Sequence, residues 1–96
     1  MESRKIEIAF YRVMQKYNAY LDPFSVMEVV TLLKPIAGIP AETLESDESL
    51  SLKLQSVIDH ISYIFGKLGV EDPREVAEKM VKEVLDECRR TCPRGS

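Results

Sequence analysis

Apolar residues recur at intervals of three and four along almost the whole chain of 96 residues. This is the spacing of an α-helix with one buried side, and no segment shows the apolar and polar alternation of a strand. The pattern predicts an all-α domain with helices at about 4–21, 23–34, 47–68 and 73–91. We expect two helical hairpins that pack as a four-helix bundle-like domain, with a more orthogonal globular arrangement as the alternative.

Two Asp-Pro pairs mark predicted helix starts. Aspartate is a good N-cap, and proline suits the first helical position because its missing N–H costs nothing there. Asp22-Pro23 therefore opens the second helix, and Asp72-Pro73 opens the fourth with Glu75 in a capping-box position. A Val-x-Glu pattern follows each pair, which fits either a duplicated hairpin or two independent helix starts.

One longer loop separates the two predicted hairpins. Pro35, Gly38 and Pro40 interrupt the helical pattern there, and the segment 40–44 has room for a single helical turn. Gly69 stands where a left-handed residue ends the third helix. The first hairpin therefore joins the second through about a dozen residues without a long helix of their own.

The second predicted helix is apolar over most of its circumference. Between Phe24 and Leu33 the apolar run is broken only by Ser25, Glu28 and Thr31. A helix of this kind is either buried in the middle of a bundle or covered by a partner protein.

Several further residues lie off the predicted core stripes of the first and third helices. We take them as a candidate interface: Ile8, Tyr11, Leu52, Ser56, Tyr63 and Gly66. A glycine inside a helix costs about 1 kcal/mol relative to alanine, and close approach of another backbone would explain it. The sequence therefore predicts a small interaction module without catalytic activity of its own, whose partner is a second copy of the chain or another protein.

The charges argue against a dedicated nucleic-acid surface. The net charge is −3, and acids dominate only the stretch 42–48, while acids and bases are mixed elsewhere. A nucleic-acid surface clusters Lys and Arg on one side of the molecule. On the fourth helix we expect solvated ion pairs between residues four apart, so nucleic-acid binding is kept as an alternative function.

The composition gives expectations about the environment of the protein. No stretch approaches the roughly 20 apolar residues that span a bilayer, and the first ten residues do not resemble a signal peptide, so we expect a cytoplasmic protein. Many Glu and Lys residues with few amides are typical of thermophilic proteins. Residues 93–96 match the end of a common cleavage tag, so no function is drawn from them.

The cysteines and the histidine do not form a metal-binding pattern. Cys88 and Cys92 are four residues apart, and His60 belongs to another helix, which leaves a structural zinc site one ligand short. We expect Cys88 to be a small core residue, Cys92 a partly exposed thiol and His60 a boundary residue. No cofactor or metal is expected.

A magnesium-dependent enzyme is the remaining alternative. Some all-helical nucleotide pyrophosphohydrolases bind magnesium with Glu-x-x-Glu on one helix and Glu-x-x-Asp on another. Carboxylates three residues apart on a helix can share one cation. The chain has Glu42, Glu45 and Glu48 for the first half, and Glu83 with Asp86 for the second. Glu42, Glu45 and Glu48 lie in or beside the loop, where no long helix would direct their carboxylates toward one cation.

Overall fold

The computed structural model describes residues 2–91, which form helices and connecting turns without a strand. The helices are α1 (Ser3–Tyr17), α2 (Pro23–Leu33), α3 (Ala41–Ser46), α4 (Glu48–Leu68) and α5 (Pro73–Thr91). The all-α prediction is confirmed, with five helices in this part of the chain rather than four. No helix there is long and apolar enough to cross a membrane. The predictions for Cys92 and for the tag-like residues 93–96 lie outside the described residues.

The first helix is shorter than predicted. It ends at Tyr17, because Asn18 takes a left-handed conformation with φ of 52°. The amide N–H of Asn18 donates to the carbonyl of Gln15, and that of Ala19 donates to the carbonyl of Met14. This is the Schellman arrangement that terminates many helices, with asparagine in the place more often taken by glycine. The prediction of a helix reaching residue 21 is therefore wrong.

The two Asp-Pro pairs begin helices in different ways. The carboxylate of Asp22 accepts hydrogen bonds from the amides of Phe24 and Ser25 and from the Ser25 hydroxyl, as a predicted N-cap should. These bonds, first of all those from Ser25, hold the pKa of Asp22 below its ordinary value. Asp72 instead has a left-handed backbone with φ of 49°. The structure shows no side-chain cap from Asp72, so the predicted capping box is absent among the described residues.

The loop between the hairpins contains the additional helix, α3. α3 is about one and a half turns long and lies where the sequence predicted room for a single helical turn at 40–44. Leu44 of α3 is buried, and so are Ile36 and Ala37 before it. Asp47 follows directly and caps α4, with its carboxylate 3.1 Å from the amide nitrogen of Leu50. The loop is thus a packed part of the structure that continues the core.

The four longer helices surround one apolar core. α1 packs against α2 and α5, and α4 packs against the same two helices, while the Cα atoms of α1 and α4 stay more than 8 Å apart along the described chain. α3 packs on α4. The largest fully buried side chains come from every longer helix and from the loop; they include Phe10, Met14, Val26, Leu33, Ile36, Ile58, Ile61, Phe65, Met80 and Leu85.

A methionine sulfur supports the turn after α1. The amide N–H of Leu21 points into the core and donates to the Met14 sulfur at 3.3 Å. Both residues are buried. A buried amide without an acceptor is costly, so Met14 is the residue that makes this turn compatible with burial.

We therefore predict that Met14→Leu destabilises the protein although it conserves volume. The amide of Leu21 would lose its acceptor, which lowers the free energy of unfolding by about 1 kcal/mol. Met80→Leu is the matched control, because Met80 is equally buried and its sulfur accepts no hydrogen bond in the described structure. Urea unfolding followed by circular dichroism measures both, and equal losses in the two variants would contradict the role of the Met14 sulfur.

Candidate functional site

The outer side of α2 exposes large apolar side chains. Phe24 is 86% exposed, and Met27 and Leu32 are each a little less than half exposed. We call these three residues the α2 face. Tyr20, in the turn before α2, is about half exposed as well. Phenylalanine is normally among the buried residues, so its nearly complete exposure is the most unusual feature of the described surface.

The α2 face exists because α2 has packing neighbours on one side only. Its opposite side buries Val26, Val29, Val30 and Leu33 against α1 and α4. The sequence allowed a central position for this helix, and the structure places it at the edge of the core instead. The sequence left two explanations for an apolar second helix. Burial of α2 in the middle of a bundle is wrong for the chain by itself, and its cover by a partner protein stays a prediction.

The predicted interface residues are exposed but do not share one surface. Leu52 and Tyr63 on α4 are 62% and 65% exposed, and Ser56 and Gly66 on the same side are exposed too. Ile8 and Tyr11 on α1 are each less than half exposed. Because the backbones of α1 and α4 are not neighbours, these residues form two separate patches, and α2 lies between the helices that carry them. That these six residues form an interface stays a prediction, as does the cover of α2 by a partner.

Gly66 has space around it in this chain. An added Cβ would come no closer than 4.0 Å to a neighbouring atom, the Cγ of Pro73. Close approach of another backbone, which the sequence suggested as a reason for this glycine, does not occur within the described structure. Only a partner pressed against α4 would give the glycine a packing role.

Gly66→Ala is therefore expected to stabilise the folded chain. Alanine fits without contact closer than ordinary van der Waals distance and reduces the freedom of the unfolded chain, so the free energy of unfolding should rise by about 0.5 to 1 kcal/mol. Thermal unfolding of a dilute sample tests this. Weaker self-association of the same variant at high concentration would instead assign Gly66 to an interface.

A polar cluster ties α1 to α5 at the edge of the core. Glu83 accepts hydrogen bonds from Lys16, whose Nζ is 2.8 Å from Oε1, and from the Tyr17 hydroxyl. The bond from Lys16, followed by that from Tyr17, holds the pKa of Glu83 below its ordinary value. The same hydroxyl bond raises the pKa of Tyr17. All three groups are satisfied within this cluster, which gives Glu83 a structural role.

We predict that Glu83→Gln lowers the free energy of unfolding at neutral pH by about 1 kcal/mol, a value reduced by solvent around the Lys16 ammonium. A carboxylate with a lowered folded-state pKa stabilises above its unfolded pKa of about 4.3, and loses this effect as the pH falls through the folded value. Urea unfolding of both proteins should therefore show a constant difference above about pH 5 that shrinks in more acidic buffer. A difference independent of pH would contradict the role of the charge.

His60 and Cys88 occupy structural positions. His60 is half-buried beside the apolar side of α4, and its Nε2 is 3.5 Å from Oε1 of Glu28 on α2. That nitrogen is shielded from solvent and makes no hydrogen bond within the described structure. Cys88 is buried in the core, as the sequence predicted. Within residues 2–91 no group of three or more His, Cys, Asp or Glu side chains is placed to hold a metal ion.

Two of the acidic residues considered for magnesium binding are already bound by other side chains. Glu45, Glu83 and Asp86 line one groove, but Glu83 is bound by Lys16 and Tyr17. Asp86 accepts a bond of 2.8 Å from Arg90. The two Glu-x-x-acid spacings therefore do not form one cation-binding cluster in the described chain.

The basic residues of α5 are largely paired with acids. Lys79 pairs with Glu75 and Lys82 with Glu78, at 3.0 and 3.1 Å, in the expected spacing of four residues. Arg74 reaches across to α4 and binds both Asp59 and Gln55. These pairs leave no broad basic surface on α5 of the kind that binds phosphate groups.

Comparisons with known proteins add no relative: no family model matches the chain, and no curated protein or solved structure shows significant similarity.

Proposed function

We propose that the protein is a protein-interaction module that pairs with a second copy of itself through the α2 face. The observation that supports this most is Phe24, an aromatic side chain that is 86% exposed on a helix whose other side is fully packed. Aromatic residues are frequent energetic anchors of protein interfaces. The four longer helices serve, in this proposal, as a four-helix bundle-like scaffold that presents the face.

The size of the patch supports a dimer contact. With Tyr20, the α2 face exposes roughly 400 Å² of side-chain surface, taking about 150 to 250 Å² for a whole aromatic side chain. A standard interface takes about 800 Å² from each partner, of which a little more than half is apolar. The patch thus supplies approximately the apolar part of one such interface, and polar residues around it supply the rim.

The charges at the two ends of α2 favour an antiparallel pair. Asp22 caps the N-terminal end, and Lys34 follows the C-terminal end. Around a twofold axis, each α2 places its Lys34 near the partner subunit's Asp22, and each Phe24 packs toward the C-terminal half of the partner's helix. The two helix dipoles then oppose each other, which also favours the antiparallel arrangement.

Sedimentation equilibrium over a wide range of concentration tests the proposal. We expect a monomer–dimer equilibrium for the natural sequence. Phe24→Ser should weaken the dimer about 30-fold or more, because it removes an aromatic anchor worth about 2 kcal/mol. The fold should be unaffected, since the Phe24 side chain has few contacts within the chain.

Tyr63→Ser is the matched control, because Tyr63 is an exposed aromatic residue on the predicted patch of α4. We expect this variant to dimerise as the natural chain does. A strict monomer at every concentration would contradict self-association. A dimer that Tyr63→Ser disrupts and Phe24→Ser does not would move the interface to α4.

A further inference from the structure

A groove with an apolar floor lies between α3, α4 and α5. It encloses about 380 Å³ and its floor is formed by Ala41, Leu44, Leu54 and Leu85. Pockets that bind small molecules commonly have volumes of about 300 to 1,000 Å³ and combine an apolar lining with a few polar groups. The Cα atoms of α5 and α2 stay more than 8 Å apart in the described chain and no residue of α2 lines the groove, so the groove and the α2 face belong to different sides of the core.

Arg89 stands at the edge of this groove in a fixed position. Its Nε donates to the carbonyl oxygen of Ile39 at 2.8 Å, which anchors the guanidinium group on the loop before α3. No carboxylate of the described residues lies within ion-pair distance of Arg89, although most basic residues of α5 have such a partner. The two terminal nitrogens therefore keep their capacity to bind an anion.

The other charged groups around the groove are mostly neutralised. Glu83 is bound by Lys16, Asp86 by Arg90, and Lys82 by Glu78. Glu45 is the one acidic side chain of the lining for which the structure gives no ion pair. One guanidinium is thus available to attract an anion, and one carboxylate is available to repel excess negative charge.

We infer that this groove binds a small aliphatic monocarboxylate. The chain of the ligand lies on the leucine floor, and its carboxylate takes two hydrogen bonds from Arg89, the geometry for which a guanidinium is suited. Glu45 disfavours a second negative charge, so a dicarboxylate or a phosphate ester binds less well than a monocarboxylate. This ligand site is independent of the proposed dimer contact on α2.

Two ligands of equal chain length distinguish the contribution of Arg89 from that of the apolar floor. Octanoate has the carboxylate and octan-1-ol lacks it, and each is titrated into the ¹⁵N-labelled full chain while amide shifts are followed by NMR. We expect octanoate to shift the amides of Leu44, Leu54, Leu85 and Arg89, and to bind at least about tenfold more tightly than octan-1-ol. Equal affinity for the two ligands, or shifts confined to other parts of the chain, would overturn the inference.

Variants then test the role of Arg89. Arg89→Gln should weaken octanoate about tenfold and leave octan-1-ol unchanged, while Glu45→Gln should tighten octanoate. Lys79→Gln removes an equal charge from α5 outside the groove and should change neither affinity. Should Arg89→Gln lose its helical circular dichroism, Arg89→Lys keeps the charge without the paired donors and should still weaken octanoate. Unchanged octanoate affinity in a folded Arg89 variant would overturn the assignment.

Discussion

The packing of α5 against both α1 and α4 is the contact on which the rest of the structure depends. Its apolar side contributes Ala77, Met80, Val81, Val84 and Leu85 to the core. Each large side chain buried in this way contributes about 1.5 to 3 kcal/mol. Within the same turns of α5, Glu83 accepts hydrogen bonds from Lys16 and Tyr17, which hold α1 in place through directional bonds. Apolar burial and hydrogen bonds thus both hold α1 against α5.

The arrangement around α5 determines which surfaces remain uncovered. α2 packs beside α1 and α4 only on its inner side, so the other side of a mostly apolar helix stays in contact with solvent. α3 covers part of α4 and leaves a groove next to α5. The proposed dimer contact and the proposed ligand groove both follow from this incomplete coverage, and they lie on different sides of the core.

Periodicity in the sequence predicted the longer helices well because their core stripes are long and regular. The α4 stripe is buried at Val57, Ile58, Ile61 and Phe65, and Gly69 ends the helix with φ of 83° as expected. Errors occurred where one local residue decides. Asn18 ends α1, because asparagine adopts the left-handed conformation more easily than most residues, and Tyr20 and Leu21 beyond it continued the apolar pattern without continuing the helix. The candidate interface residues are exposed in two patches, and their role as an interface stays a prediction.

The sequence by itself determined the helical class, the starts at Pro23 and Pro73, and the residues that face the core, because spacing and helix ends are local properties. Only the tertiary structure decided that Phe24 is exposed, that Asp72 has a left-handed backbone, and that Arg89 meets the carbonyl of Ile39 beside an apolar groove. These features depend on which helix packs against which. An apolar stripe specifies that a side must be buried without specifying the surface that buries it.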